Sequence, residues 1–253
     1  MLDAYTHCGI SKYLPVGKLR AVMDGAGIGR AVLCQHLGEY DNTYLESVVR
    51  AEPDRFVAVA LVDSTRADWR SELQSIAESG AFRGVRIVDD VLAESPDLAE
   101  EAAALGLVIV VHAPSGIGRA VAPIRRLSAA YPNATIEVTH LGNPRLEDGS
   151  LASGLELLEL AHEPGVVVTL SGLPMFCDYP YSELDELIVA TFDAFGPDRV
   201  LWGSNFPVAG GDQPSYGREL DLIRSGRWGL DPAAAELVTE VNARRIWFER
   251  SVL

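Results

Sequence analysis

The chain has 253 residues, 48% of them hydrophobic, enough to bury one large core. Its 21 basic residues stand against 36 acidic ones, a formal charge of −15 that repels nucleic acid and anionic lipid. Three cysteines, Cys8, Cys34 and Cys177, are too few and too scattered for a disulfide framework or a paired-cysteine zinc site, which fits a reducing cytoplasm.

No basic flank with an apolar signal core opens the chain, and apolar runs such as 107–111 fall far short of a membrane span, so a cytoplasmic protein is expected. The expected partner is a small molecule, with homo-oligomerisation left open.

Short β-branched runs at 2–6, 30–34, 56–61, 84–88, 107–111, 135–138, 166–170 and 200–202 read as buried parallel strands. They begin about every 23 to 34 residues, the spacing of repeated βα units. Helical periodicity fills the gaps: Val121, Ile124, Leu127 and Tyr131 share one face, as do Leu184, Leu187, Ile188, Thr191 and Phe195. Ser95-Pro96 and Asp231-Pro232 mark helix starts, while Gly80, Gly106 and Gly196 fall where helices should end.

The predicted fold is α/β, a single (β/α)8 TIM barrel over residues 1–253 with no linker or repeat. An open doubly wound sheet is the alternative. It would place a glycine-rich phosphate loop after the first strand, and His7-Cys8-Gly9-Ile10 is not one.

A barrel of this kind works at the C-terminal ends of its strands. Those ends carry Tyr5 and His7, His36, Arg86, His112, His140, Ser171 and Asn205. Tyr5 and His7, two apart on a strand, should both point into the barrel. Convergence of His7, His112 and His140 on one mouth is hard to explain by packing. His36 reads as a packing residue and His162 as a surface or structural one.

Several stretches resemble the amidohydrolase-related (amidohydrolase 2) branch of the amidohydrolase superfamily. Asp3-Ala4-Tyr5-Thr6-His7 is similar to its opening Asp-x-His-x-His, Val111-His112-Ala113-Pro114 to its strand-five histidine, and Thr139-His140-Leu141-Gly142-Asn143-Pro144 to its Asp-His-x-Gly-x-Pro. Leu170-Ser171-Gly172, Trp202-Gly203-Ser204-Asn205-Phe206-Pro207 and Asn242-Ala243-Arg244-Arg245 match its later motifs in order.

The resemblance implies zinc-dependent decarboxylases and hydrolases, or lactonases that work without metal on small carboxylated rings. It also implies a ligand set of which this chain keeps His7 and His112. Tyr5 stands for an imidazole and Asn205 for a carboxylate, both poorer zinc ligands. Zinc on His7, His112 and His140 stays an alternative, but the expectation is no cofactor.

An amide cannot take a proton at neutral pH, so Asn205 orients a water or a substrate oxygen while His140 is the expected general base. His7, His112 and Tyr5 are expected to donate to a developing oxyanion. The strand-four Gly-Val-Arg resembles the family's, where the arginine holds a substrate carboxylate, so Arg86 is the expected clamp; the alternative is a structural ion pair. Ser171, Cys177 and Arg145 complete the predicted binding set, Arg145 and Arg119 being weaker candidates than Arg86.

Cys177 lies in a loop with Pro174, Met175, Phe176, Tyr179, Pro180 and Tyr181 that reads as an apolar lid, and Gly210-Gly211-Asp212 as a mobile turn. The expected activity is metal-independent hydrolysis of a small carboxylated lactone, ester or amide. The alternatives are a lyase such as a decarboxylase, an isomerase or cyclase, and an inactive small-molecule-binding barrel.

Overall fold

A computed structural model describes residues 1–208 and 216–249. The predicted Gly210-Gly211-Asp212 turn lies outside the described residues. In chain order the strands are β1 (Leu2–Thr6), β2 (Arg30–Cys34), β3 (Phe56–Leu61), β4 (Phe82–Val88), β5 (Val108–His112), β6 (Ile136–Val138), β7 (Arg145–Glu147), β8 (Ser150–Ser153), β9 (Val166–Ser171) and β10 (Val200–Gly203). Eight of them form one parallel sheet in the order β1-β2-β3-β4-β5-β6-β9-β10.

Backbone bonds close the ring: Asn205 N–H donates to Tyr5 O and His7 N–H to Phe206 O, both at 2.8 Å. The eight predicted strands are these eight, and the fold is a TIM barrel. β7 and β8 form a small antiparallel hairpin outside it, which the sequence pattern did not signal.

Helices α1 (Val16–Ala26), α2 (Thr43–Ala51), α3 (Trp69–Glu78), α4 (Asp89–Glu94), α5 (Asp97–Ala104), α6 (Gly118–Ala130), α7 (Asp185–Phe195), α8 (Arg218–Arg224), α9 (Pro232–Glu236) and α10 (Asn242–Trp247) follow the strands. Pro232 opens α9, where the Asp231 side chain accepts from Ala234 N–H, as the proline signal predicts. Pro96 instead sits one place before α5, with Asp97 its first residue.

Because side chains alternate along a strand, the barrel has two apolar populations. Leu33, Ala60, Val85, Ile109, Val138 and Val168 face outward under the helices. Val32, Val57, Val59, Val108, Val110, Val167 and Leu201 fill the interior, where Ile246 and Trp247 of α10 pack with them as a plug. Gly84 makes room for that plug, since a Cβ there would meet the Trp247 ring at 3.1 Å and Val108 O at 2.7 Å. Asn242 holds α10 in place by donating to Pro197 O and Val200 O.

One irregularity sets up the site. Leu2 and Ala4 face the interior, so strict alternation would turn Tyr5 outward. The register between β1 and β2 shifts between Asp3 and Thr6, and Tyr5 packs inside instead.

Candidate active site

Tyr5, His7, His112 and His140 come together at the C-terminal end of the barrel. Tyr5 lies edge-on to His7 (ring centroids 5.1 Å apart) and to His140 (4.9 Å), and His112 is edge-on to His140 at 5.6 Å. Arg86 reaches over the Tyr5 ring at 5.9 Å and donates to Gln35 O at 3.0 Å. Gly172 separates two of the partners: a Cβ on it would stand 3.0 Å from Asn205 Nδ2 and 3.1 Å from His140 Nδ1. Cys34, below Tyr5, has a thiol that burial pushes up to about 11.

His140 (φ 55°) and Asn205 (φ 53°) both adopt the left-handed region that side chains avoid, a strain that the surroundings must hold. For Asn205 the holder is Asp3. Its buried carboxylate accepts from Ser204 N–H at 2.8 Å, from the Ser204 hydroxyl at 2.5 Å, from the Tyr216 hydroxyl at 3.0 Å and from Tyr5 N–H at 3.2 Å. One side chain thus pins Tyr5 itself and the residue before Asn205, the two positions that depart from the ligand set the resemblance implies. Burial, partly offset by the bonds from Ser204, brings the Asp3 carboxyl to about 6.

All three histidines are held neutral. Burial, reinforced by the Arg86 guanidinium, lowers His7 to about 3, and the same two causes lower His112 to about 3. Burial, then His112, Arg86 and His7, pushes His140 well below the usual imidazole range. Tyr5 is shifted upward, chiefly by burial, so its hydroxyl keeps its proton.

The hydrogen bonds of His7 bear on its role. His7 Nδ1 lies 2.6 Å from Cys34 O, which can only accept, so Nδ1 carries the ring proton and Nε2 a lone pair. His7 Nε2 is 3.2 Å from Asn205 Oδ1, and two acceptors in contact gain nothing. Protonating His7 would mend this, but its lowered pKa forbids it at neutral pH; turning the amide, whose nitrogen and oxygen are sterically alike, does so without charge. Asn205 then donates to His7. With the amide so turned, the neutral His7 ring has no proton left for an oxyanion.

The donors that remain are well defined. Among the described residues, Arg86 Nε and His112 Nδ1 are buried without a hydrogen-bond partner, and Tyr5 Oη has none besides the Cys34 thiol. His140 Nδ1 lies 2.8 Å from the Ser171 hydroxyl, which orients the ring.

Other predicted residues fall elsewhere. Arg145 is exposed on β7 and pairs with Glu147 of its own hairpin, so it is not brought to the histidines. Arg119 is likewise exposed and pairs with Asp90 and Glu94. Cys177 is half-buried beside Glu183, and burial raises its thiol to about 11, which leaves little thiolate at neutral pH. His162 is exposed.

His36 is buried, yet it belongs to the mouth: Tyr13 stacks on His7 at 4.9 Å and meets His36 edge-on at 5.1 Å. Tyr13 lies in the β1–α1 loop and gave no sequence signal. Met175, whose sulfur is 3.4 Å from the Asn205 amide, was visible only as part of an apolar loop.

The chain is similar to several known proteins. The chain is 32% identical over 211 residues to an L-fucono-1,5-lactonase of Burkholderia ambifaria, covering 76% of this chain and 69% of that protein. It is 27% identical over 225 residues to one from Burkholderia multivorans, covering 78% and 72%.

Among solved structures, an amidohydrolase from Burkholderia multivorans with bound zinc superposes with a TM-score of 0.80 at 20% identity, over 97% of this chain and 98% of that one. A Pseudomonas putida protein provisionally assigned as a 2-pyrone-4,6-dicarboxylic acid hydrolase gives 0.78 at 21%, over 97% and 96%. A family profile described as Amidohydrolase matches residues 4–248, and the chain belongs to this family as an enzyme of the amidohydrolase superfamily.

Proposed function

We propose that this enzyme hydrolyses a small carboxylated lactone by histidine acid–base chemistry, without a metal. The observation that carries the proposal is a mouth of neutral imidazoles beside a buried guanidinium whose Nε has no partner among the described residues. The kinship with L-fucono-1,5-lactonases supports the reaction class.

The residues fit a divalent cation poorly. Among the described residues no group of three His, Cys, Asp or Glu side chains is arranged to hold one. The His7 lone pair is satisfied by the Asn205 amide, and Arg86 sets a positive charge where a cation would need the missing carboxylate. Asn205 thus supplies to His7, through an N–H, the electrophilic contact that a metal would make.

In the reaction we envisage, Arg86 Nε takes the substrate carboxylate, as a guanidinium fork is suited to do. His140 donates Nδ1–H to Ser171 and accepts a water proton at Nε2. The water oxygen bonds to the lactone carbonyl carbon while Tyr5 Oη–H and His112 Nδ1–H stabilise the oxyanion. Collapse breaks the ring C–O bond, and the His140 proton passes to the departing alkoxide, giving a hydroxy acid.

A strongly lowered pKa makes His140 a weak base in the free enzyme. A bound carboxylate offsets Arg86, one of the causes of that lowering, and so raises its basicity when substrate is present.

Turnover of 2-pyrone-4,6-dicarboxylate, a carboxylated lactone, in ¹⁸O-water tests the proposal. One labelled oxygen in the new carboxylate, formed faster than in buffer alone, is expected. Product without label would refute hydrolysis and favour a lyase.

A further inference from the structure

Eight large hydrophobic side chains are exposed among the described residues, and six of them lie in loops after β1, β2, β9 and β10. These are Ile10 (75% exposed), Leu14, Tyr40, Met175, Tyr179 (48%) and Val208, all at the end of the barrel that carries the histidines. Apolar groups clustered at one end of a molecule call for an occupant.

Two side chains join this rim to the polar floor. Tyr13 stacks on His7 with 23° between the rings. The Met175 methyl would be 2.6 Å from a Cβ on Gly172, the same position that touches His140 and Asn205, so the thioether roofs that pair.

Arg86 Nε and His112 Nδ1, unpartnered among the described residues, and Tyr5 Oη, which has only the Cys34 thiol, match one carbonyl and one carboxylate. A sugar lactone would desolvate its hydroxyls against Tyr13, Met175 and the rim, and a buried hydroxyl without a partner costs binding.

Resting on the lactonase reading, we propose that the substrate is a lactone bearing an alkyl or aryl group, its apolar part lying on the Tyr13–Met175 rim, and not a polyhydroxylated sugar lactone. The rim commits to this occupant because it is continuous with the site: its two inner members touch His7 and Asn205.

The test compares kcat/KM for δ-valerolactone, δ-hexalactone, δ-octalactone and L-fucono-1,5-lactone. Each added methylene laid on the rim should raise kcat/KM about two- to fourfold, so δ-octalactone should exceed δ-valerolactone by about tenfold or more. In Tyr13→Ser and Met175→Ser variants that slope should flatten. A flat or falling series in the native enzyme, or a preference for L-fucono-1,5-lactone, would overturn the inference while leaving lactone hydrolysis intact.

Calorimetry with hexanoate, octanoate and gluconate separates the two readings without chemistry. Octanoate binding more tightly than gluconate, with no lactone turned over, would sink the hydrolase and keep the amphipathic ligand. Equal affinity for the two would overturn the inference. Sedimentation covers the remaining occupant: a dimer that Ile10→Ser and Tyr179→Ser dissociate, with no chain-length slope, would assign the rim to a second copy and refute it.

Discussion

Replacing Glu137 by Gln should stabilise the protein in alkaline solution and do little in acid. Glu137 projects into the barrel from β6, is fully buried, and accepts from the Thr169 hydroxyl at 2.5 Å. Burial, offset in part by Thr169 and Trp247, raises its carboxyl from 4.5 to about 7. A group whose folded pKa is raised gives its stability in full below pH 4.5 and loses it as the pH rises through 7.

The shift of 2.5 units corresponds to a total loss of about 3 kcal/mol, of which about 2.5 kcal/mol falls between pH 5 and pH 8.5. Gln carries no charge, keeps the volume, and can meet Thr169 through either end of its amide. Urea denaturation of both proteins at the two pH values is the assay. The expected result is that the stability difference between variant and native protein rises by about 2–3 kcal/mol in favour of Gln from pH 5 to pH 8.5. A difference that does not change with pH would mean that the carboxyl is hydrated or paired, and the reasoning would fail.

Other outcomes follow from the site. Changing His140 to Ala should lower kcat by about 10²- to 10⁴-fold with a far smaller change in product binding, and activity within threefold of native would exclude it as the base. Arg86→Met should raise KM for a carboxylated lactone by about tenfold or more but not for its uncharged analogue. The same change removes a positive charge that lowers His7, His112 and His140, so the acid limb of kcat/KM should move to higher pH; a shift to lower pH would contradict the electrostatics. Combining Tyr5→His with Asn205→Asp restores the ligand set that the family resemblance implies. Calorimetry should then show zinc binding absent from the native protein, and a null result would mean that the mouth is too distorted for a metal.

The fold was legible because its evidence is local and repeated. Each strand announces itself as a short β-branched run, and eight of them at regular spacing close one way. The gathering of His7, His112 and His140 was legible for the same reason, since all three end strands. Arg145 shows the limit: it follows a motif histidine closely in sequence, but the β7–β8 hairpin carries it out into solvent. Tyr13 shows the converse, a loop residue with no pattern around it that the packing of His7 places at the mouth.

What the sequence determined by itself was the barrel, the set of strand-end residues, and the absence of two expected metal ligands at Tyr5 and Asn205. Only the tertiary structure decided what became of them. The register shift in β1 turns Tyr5 inward, Asp3 holds Asn205 in its strained backbone, and the Cys34 carbonyl fixes the His7 proton so that the amide donates to the ring. The physical reason is that proton placement and pKa depend on partners far apart in the chain: Arg86 acts on all three histidines, and no local pattern reports a field or a desolvation.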